Sequence, residues 1–272
     1  MVIYLNVSYD KKDIAKKCGA LWDIKKKKWY VIDNTYSEAI KLFKCKKVYL
    51  YVPFSEKNNA KNMGALWDSS KKLWYIYNNK DDKYYQILET FPCFDPNFKL
   101  VNENINFGGN KLYIDCIPKS CWFTNVRYCI NKDDWDKLRK FIYFRAKYKC
   151  ECCFQRKKLQ AHERWSYNDI TKTQKLERII ALCKKCHLTT HYGFACSNGY
   201  ADVVYNHLKK INNYSSEEAN NHIKETYKLY EERSKYEWKL DLSIIENSNI
   251  SIIKPLDDVV RSHLIEEFID EI

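Results

Sequence analysis

Residues 183–191 read CKKCHLTTH, and the shorter stretch CECC precedes them at residues 150–153. Together they hold two Cys-x-x-Cys pairs, which are Cys150 with Cys153 and Cys183 with Cys186. Four thiolates in two such pairs make a closed tetrahedral ligand set for zinc. The spacing therefore predicts a structural zinc site that ties these two parts of the chain together. Cys152, a spare thiol inside the first pair, is an alternative ligand.

Two histidines follow the second cysteine pair directly. His187 and His191 are four residues apart, so they share one face if a helix begins at the pair. Between the pairs, residues 159–165 read LQAHERW, and we expect a short strand there that carries His162 and Glu163. Imidazoles ligate divalent metals and exchange protons near neutral pH. Three histidines within one zinc frame therefore predict a second, functional site.

This order of motifs resembles the HNH endonucleases, which have a ββα-metal fold. Further stretches, from KLYIDCIP at residue 111 to SKYEWKLDLS ending at residue 243, are similar to one uncharacterised HNH-type family. The resemblance implies metal-dependent cleavage of phosphodiester bonds in DNA with a divalent cation such as Mg²⁺ or Mn²⁺. It implies that His162 is the general base, that His187 is a metal ligand and that His191 is a second ligand.

The chain also departs from the HNH pattern. His-His or Asp-His is usual on the strand, whereas this chain has Ala161 before His162 and Glu163 after it. Therefore His162 can bind metal while Glu163 activates water, or the reverse. The middle Asn of the motif is absent, and Phe154 replaces a glycine of the first knuckle. The main alternative is a non-catalytic zinc protein that binds nucleic acid, and an assembly or packaging protein is a third reading.

An internal repeat occupies the start of the chain. Residues 3–32 and 48–77 align without a gap, and both tryptophans of the first copy recur in the second. Such identity indicates duplication of one folding unit. Each copy is predicted to form a strand, a short helix ended by a glycine (Gly19 or Gly64), a turn and a second strand. Because each unit is small, the two copies are expected to pack together.

The repeat pattern GAxWD…KxWY resembles a small domain of unknown function that is found attached to primases and other DNA-handling proteins. The resemblance implies an accessory domain near nucleic acid. We expect the tryptophans to form the core of each unit, because large aromatic side chains dominate small cores. The tryptophans are Trp22, Trp29, Trp67 and Trp74. The lysine-rich turns before the second strand are the expected contacts to phosphate.

Charge and composition point to the same kind of partner. The chain has 272 residues and a net charge of +12, which favours DNA as the partner, with RNA as the alternative. Arginine is rare, and we expect Arg127 and Arg164, which lie near the site motifs, to contact phosphate. The bias toward Lys, Asn and Ile is typical of an AT-rich genome, such as that of a large DNA virus.

The cysteine content and the lengths of the apolar runs indicate in which cellular compartment we expect the protein. Twelve cysteines without a secretory signal favour a reducing interior, either the cytoplasm or the nucleus. No apolar run is long enough to cross a bilayer, so no membrane partner is expected.

These observations predict an α+β protein built from successive parts. The parts are repeat unit 1 (1–46), repeat unit 2 (47–91), a linker (92–110), the HNH-type zinc domain (111–245) and an acidic amphipathic tail (246–272). Within the zinc domain, the apolar spacing predicts a helix over 132–147, and Ser215-x-x-Glu218 predicts a capped helix over 216–235.

Overall fold

A computed structural model describes the chain at residues 2–32, 38–43, 46–78, 82–122 and 125–253. It divides into two compact units, Met1–Phe94 and Asp95–Ile272. The described residues form a mixed α/β structure with three small three-stranded sheets and helices around them. Within these ranges, every helix is too short or too polar to cross a membrane.

The first unit contains the two repeats. The first repeat consists of β1 (Val2–Leu5), α1 (Lys12–Lys17), β2 (Leu21–Asp23), β3 (Lys28–Ile32) and α2 (Glu38–Leu42). The second repeat consists of β4 (Lys47–Leu50), α3 (Lys57–Asn62), β5 (Leu66–Asp68), β6 (Leu73–Tyr77) and α4 (Asp82–Thr90). Both sheets are antiparallel, with β3 or β6 as the central strand.

The predicted strands and helices of the repeats are present. Gly19 and Gly64 end α1 and α3 with φ of 84° and 97°, a left-handed conformation that glycine adopts without strain. The short edge strands β2 and β5 were not predicted. Each is the first arm of a hairpin whose turn is held by a carboxylate, because Asp23 Oδ1 accepts from the backbone N–H of Lys25 and of Lys26 at 3.0 Å.

The cores of the repeats differ from the prediction. Apolar clusters form around the fully buried Ala15 in the first repeat and around Ala60 in the second, and Tyr77 packs against the first cluster. Trp29 and Trp74 lie against these clusters and are half-buried. Their partners are not core residues, since Trp22 is 47% exposed and Trp67 is 51% exposed. The expectation that all four tryptophans form the cores is therefore wrong for one tryptophan in each repeat.

The second unit is built on one long hairpin. Its strands are β7 (Leu159–Asn168), β8 (Thr173–Cys183) and β9 (Lys239–Asp241), and β9 runs parallel to β8. Its helices are α5 (Val126–Cys129), α6 (Lys132–Arg145), α7 (Lys184–Thr190), α8 (Tyr192–Ser197), α9 (Ala201–Asn212), α10 (Ser216–Arg233) and α11 (Ser243–Glu246).

Both helices predicted in this unit form. α6 ends two residues before the predicted end, and α10 begins with the predicted capping box. The Ser215 side chain accepts from the Glu218 N–H, and the Glu218 carboxylate accepts from the Ser215 N–H. α7 begins directly after β8, with Cys183 at its N-cap, so the strand, the second cysteine pair and the histidine helix are continuous.

The segment predicted as a linker belongs to the second unit. Leu100 is fully buried in that unit's core. The Glu103 carboxylate accepts from both terminal nitrogens of Arg145, at 2.7 and 3.2 Å, and from the backbone N–H of Ile179. A buried ion pair needs such partners, because an isolated charge in the interior is very costly. The prediction of a free linker is therefore wrong from residue 95 onward.

The end of the second unit lies beyond the predicted boundary. The predicted domain stops at residue 245, but Ile252 forms a bridge with Ile130 and Ser248 Oγ accepts from the Val101 N–H. The first residues of the predicted acidic tail therefore pack on this unit. Most of that tail, residues 254–272, lies outside the described residues.

Candidate metal sites

The four predicted zinc ligands converge in the second unit. The Sγ atoms of Cys150, Cys153, Cys183 and Cys186 all lie within 4.8 Å of one another. Cys153 Sγ is 3.7 Å from Cys183 Sγ. That distance is far too long for a disulfide and close to the edge of about 3.8 Å that Zn–S bonds of about 2.3 Å give in a tetrahedron. The cluster could hold a metal ion such as zinc.

Hydrogen bonds from Cys150 and Cys186 lower the pKa of the Cys183 thiol, so its thiolate form is the most favoured. The spare thiol, Cys152, lies outside the cluster, 3.7 Å from Arg164 Nη2 and from the Lys111 carbonyl oxygen. Burial raises its pKa to about 12, which disfavours the thiolate that metals bind.

His207 touches the cysteine cluster and was not predicted. Its Nε2 lies 3.2 Å from Cys186 Sγ, and burial lowers its pKa to about 4. A neutral imidazole in that place can donate a hydrogen bond to the sulfur, as groups around metal ligands commonly do. The sequence carries no spacing signal for this contact, because residue 207 comes from α9, 21 residues after Cys186.

The three predicted histidines also converge. One ring nitrogen from each of His162, His187 and His191 lies within 4.8 Å of the others, and ring centroids are 4.7 to 5.1 Å apart. β7 supplies the first ring, and α7 with the residue that follows it supplies the other two. His162 and His187 are buried, and His191 is half-buried. β7 and α7 thus bring the three imidazoles together.

The environment keeps two of these histidines neutral. Burial and the neighbouring imidazoles lower the pKa of His187 well below its usual range. Burial, then the charge of His162, lowers the pKa of His191 to about 3. Neutral imidazoles are the form that ligates metal ions. The three converging histidine side chains make a donor set that suits zinc, copper, iron or nickel better than magnesium, which prefers oxygen ligands.

A carboxylate that the sequence reasoning passed over lies beside this cluster. Asp115 Oδ2 is 3.4 Å from His162 Nε2, and the Asp115 N–H donates to the Thr190 carbonyl oxygen at the end of α7. Both Asp115 Oδ2 and His162 Nδ1 are buried and have no hydrogen-bond partner within the part of the chain that the structure describes. Buried polar atoms of this kind are normally satisfied. Two such atoms without partners in the described chain, beside three imidazoles, fit a site for a bound ion. Asp115 was visible in the motif KLYIDCIP, but nothing in its spacing linked it to the histidines.

Glu163 occupies a different position from the one its motif predicts. Consecutive strand residues point to opposite faces, so Glu163 and His162 diverge. Glu163 Oε1 accepts from the backbone N–H of Val126, the first residue of α5. Burial raises the pKa of this carboxyl. The structure therefore brings Asp115, and not Glu163, into contact with His162.

The two candidate phosphate-binding arginines are placed differently. Arg164 is 2% exposed, and its guanidinium donates to the carbonyl oxygens of Gly108 and Lys111. It also lies over the ring of Tyr113. These contacts argue against the predicted phosphate contact for Arg164, since all of them hold the 108–113 segment against β7. Arg127 is half-buried on α5, near the Tyr128 ring, and its phosphate contact stays a prediction.

Comparison with known proteins identifies the repeats. A family described as a domain of unknown function (DUF5710) matches residues 3–43 and again residues 47–86. Together the two matches cover less than a third of the chain. No curated protein and no solved structure matches the chain. The duplicated unit found in the sequence is therefore a recognised domain, and the HNH resemblance of the second unit stays a prediction.

Proposed function

We propose that the second unit is a metal-dependent endonuclease of HNH type that hydrolyses phosphodiester bonds in DNA. The observation that carries the proposal is the convergence of His162, His187 and His191 at one place beside Asp115. β7 supplies His162, and α7 with the residue that follows it supplies His187 and His191, which is the order that the HNH resemblance implies.

In this proposal the three imidazoles hold the divalent cation. Bound there, the cation would supply Lewis acidity at the scissile phosphate. Asp115 Oδ2 lies 3.4 Å from His162 Nε2 and would accept a hydrogen bond from that nitrogen when the cation is bound, which leaves Nδ1 as the nitrogen that ligates. Such a carboxylate fixes the tautomer and the orientation of a ligating histidine. His162 is thereby assigned as a ligand rather than as the general base, and Asp115 as a positioning residue.

The charge of the chain supports DNA as the substrate. The net charge of +12 attracts a polyanion, and Arg127 is the remaining arginine candidate for phosphate near the site. RNA is the alternative polyanion, and cleavage of single- and double-stranded DNA and RNA oligonucleotides distinguishes the two substrates. The non-catalytic zinc protein that only binds nucleic acid is the rival function.

The first experiment is nicking of supercoiled plasmid by the full chain with Zn²⁺, Mn²⁺, Co²⁺ or Mg²⁺. We expect cleavage with the transition metals and little with Mg²⁺ alone, because the donor set is all imidazole. His187→Ala and His191→Ala should abolish cleavage. His222→Gln is the matched control, since it changes a half-buried histidine elsewhere in the same unit and should cleave normally. A folded wild type that nicks no DNA with any of these metals would contradict the proposal and favour the rival function.

The role of His162 is tested by counting bound metal. The variant His162→Ala should lose cleavage and the cation held by the three histidines, which we call the second cation. It should keep the cation of the cysteine cluster. Loss of cleavage with both cations retained would instead make His162 the base. Asp115→Asn should weaken binding of the second cation by roughly 10- to 100-fold, in line with other carboxylates that orient metal-bound histidines. Metal content by mass spectrometry, after dialysis against graded free metal, gives both results.

A further inference from the structure

Each repeat exposes a tryptophan at the same position. Trp22 on β2 and Trp67 on β5 are the two exposed tryptophans of the first unit. Each sits edge-on against the half-buried tryptophan of the next strand, Trp29 or Trp74, at a centroid distance of 5.4 Å and an interplanar angle of 61° or 63°. The supporting ring therefore fixes the exposed ring in the same orientation in both copies.

A second aromatic position is also exposed in both copies. Tyr9 is 82% exposed and Phe54, its counterpart, is 83% exposed. A lysine ammonium lies over each ring, from Lys12 at 4.2 Å and from Lys57 at 4.1 Å. An aromatic ring so exposed adds almost nothing to the core, and a pairing of ring and ammonium that recurs with this geometry has no evident role in folding.

The turn next to each exposed tryptophan is rigid and basic. Lys27 and Lys72 take the left-handed conformation with φ of 51° and 54°, and their side chains are exposed. Asp68 holds the second turn as Asp23 holds the first, because Asp68 Oδ1 accepts from the N–H of Ser70 and of Lys71 at 3.2 Å. Positive charge and exposed rings thus lie side by side on a stiff hairpin.

We propose that the two repeats are a tandem platform for single-stranded nucleic acid, on which Trp22 and Trp67 each stack a base. Lysines of the adjoining turns pair with the phosphates. Proteins that hold single strands without sequence preference combine these two features, a basic track and aromatic rings that stack on bases. The rings need an unpaired base, since bases within a duplex are already stacked on one another. The proposal is independent of whether the second unit cleaves DNA.

The experiment measures binding of a fluorescent oligo-dT strand to the full chain by anisotropy, without added divalent cation so that cleavage does not intervene. Trp22→Ala and Trp67→Ala should each weaken binding at least about fivefold, and the double variant by about 25-fold or more, as expected for the loss of one stacked base each. Trp22→Phe should retain most of the affinity, because it keeps an aromatic face. The same strand annealed to its complement should bind more weakly to wild type, and the tryptophan variants should not weaken it further.

Further variants distinguish base stacking from non-specific binding. Tyr85 is 52% exposed in the same unit but has no aromatic counterpart in the first repeat, so Tyr85→Ala should leave the affinity unchanged. Lys27→Gln with Lys72→Gln should weaken binding and flatten its dependence on salt, since fewer counterions are released. Equal binding by wild type and the Trp22→Ala, Trp67→Ala double variant, with circular dichroism unchanged, would overturn the proposal. So would a loss of equal size in Tyr85→Ala.

Discussion

The two units use their polar and aromatic side chains in opposite ways. The repeats expose Trp22, Trp67 and many lysines and rely on small apolar clusters around alanines. The second unit encloses charged and titratable groups, among them Arg164, Arg178, Glu103 and three histidines. Most of these have partners on distant parts of the chain. A small unit has little interior in which to enclose charged groups, whereas the larger unit can bury polar groups if each finds a partner.

In the second unit, buried polar groups with a structural role differ from those expected to bind a ligand. Arg178 donates to the carbonyl oxygens of Gly109 and Phe107 and pairs with Glu151, so its burial has a structural reason. The Asp115–His162 pair retains two buried atoms without hydrogen bonds in the described chain. Because these two atoms lie beside three converging imidazoles, they mark the place where a ligand is expected.

Removing a cysteine ligand should have the largest effect on stability. It should also distinguish the two units most clearly. Cys183→Ser should lose bound metal and unfold the second unit, because a structural zinc site supplies about 10 kcal/mol or more, comparable to the whole stability of a domain. A separate unfolding transition of the repeats should persist in calorimetry. Cys152→Ser, one residue from a ligand, is the control and should keep the metal. Metal loss in the control, or a single shared transition, would contradict this comparison.

Breaking the buried ion pair should have the next largest effect. Glu103→Ala leaves Arg145 unpaired in the interior and should destabilise the second unit by about 3–5 kcal/mol. The control is Asp136→Ala, which removes the partly exposed pair with Arg139 and should cost less than about 1 kcal/mol. Urea unfolding followed by tyrosine and tryptophan fluorescence measures both. Equal small losses would mean that residues 95–110 do behave as a linker.

The dependence of stability on pH between about pH 5 and 8 should give the smallest effect, and we expect it in the second unit, because residues 1–94 contain no histidine. His222 Nε2 accepts from the Ile114 N–H, and burial, then the charge of Lys111, lowers the pKa of His222. The unfolded chain therefore binds more protons between the folded pKa and the usual value near 6.5. This stability is complete above about pH 7 and is lost as the pH falls through that window.

The variant His222→Gln isolates this contribution. Its amide oxygen can still accept from the Ile114 N–H but does not titrate. His187, His191 and His207 also have lowered pKa values and act in the same direction, so the test is the difference in unfolding free energy between wild type and variant from pH 5 to 8. That difference should favour wild type more at pH 7.5 than at pH 5. A constant difference would show that His222 does not contribute.

Local patterns predicted much of this protein. The repeat, its glycine-ended helices, the capping box at Ser215 and the convergence of four cysteines were all visible, because each depends on residues close in sequence or on a ligand spacing with one chemical meaning. The same reasoning failed for residues 95–110. Their prolines and glycines indicate a loop, but whether a loop is free or buried depends on partners such as Arg145, which are far away in sequence.

The sequence by itself determined the elements and the ligand types, since periodicity, capping and cysteine spacing act within a few residues. Only the tertiary structure decided which side chains meet. It exposed Trp22 and Trp67 at sheet edges, enclosed Arg164 among carbonyls, turned Glu163 toward α5 and brought Asp115 to His162. Exposure and contact are set by the packing of whole elements against one another, and no local pattern encodes that packing.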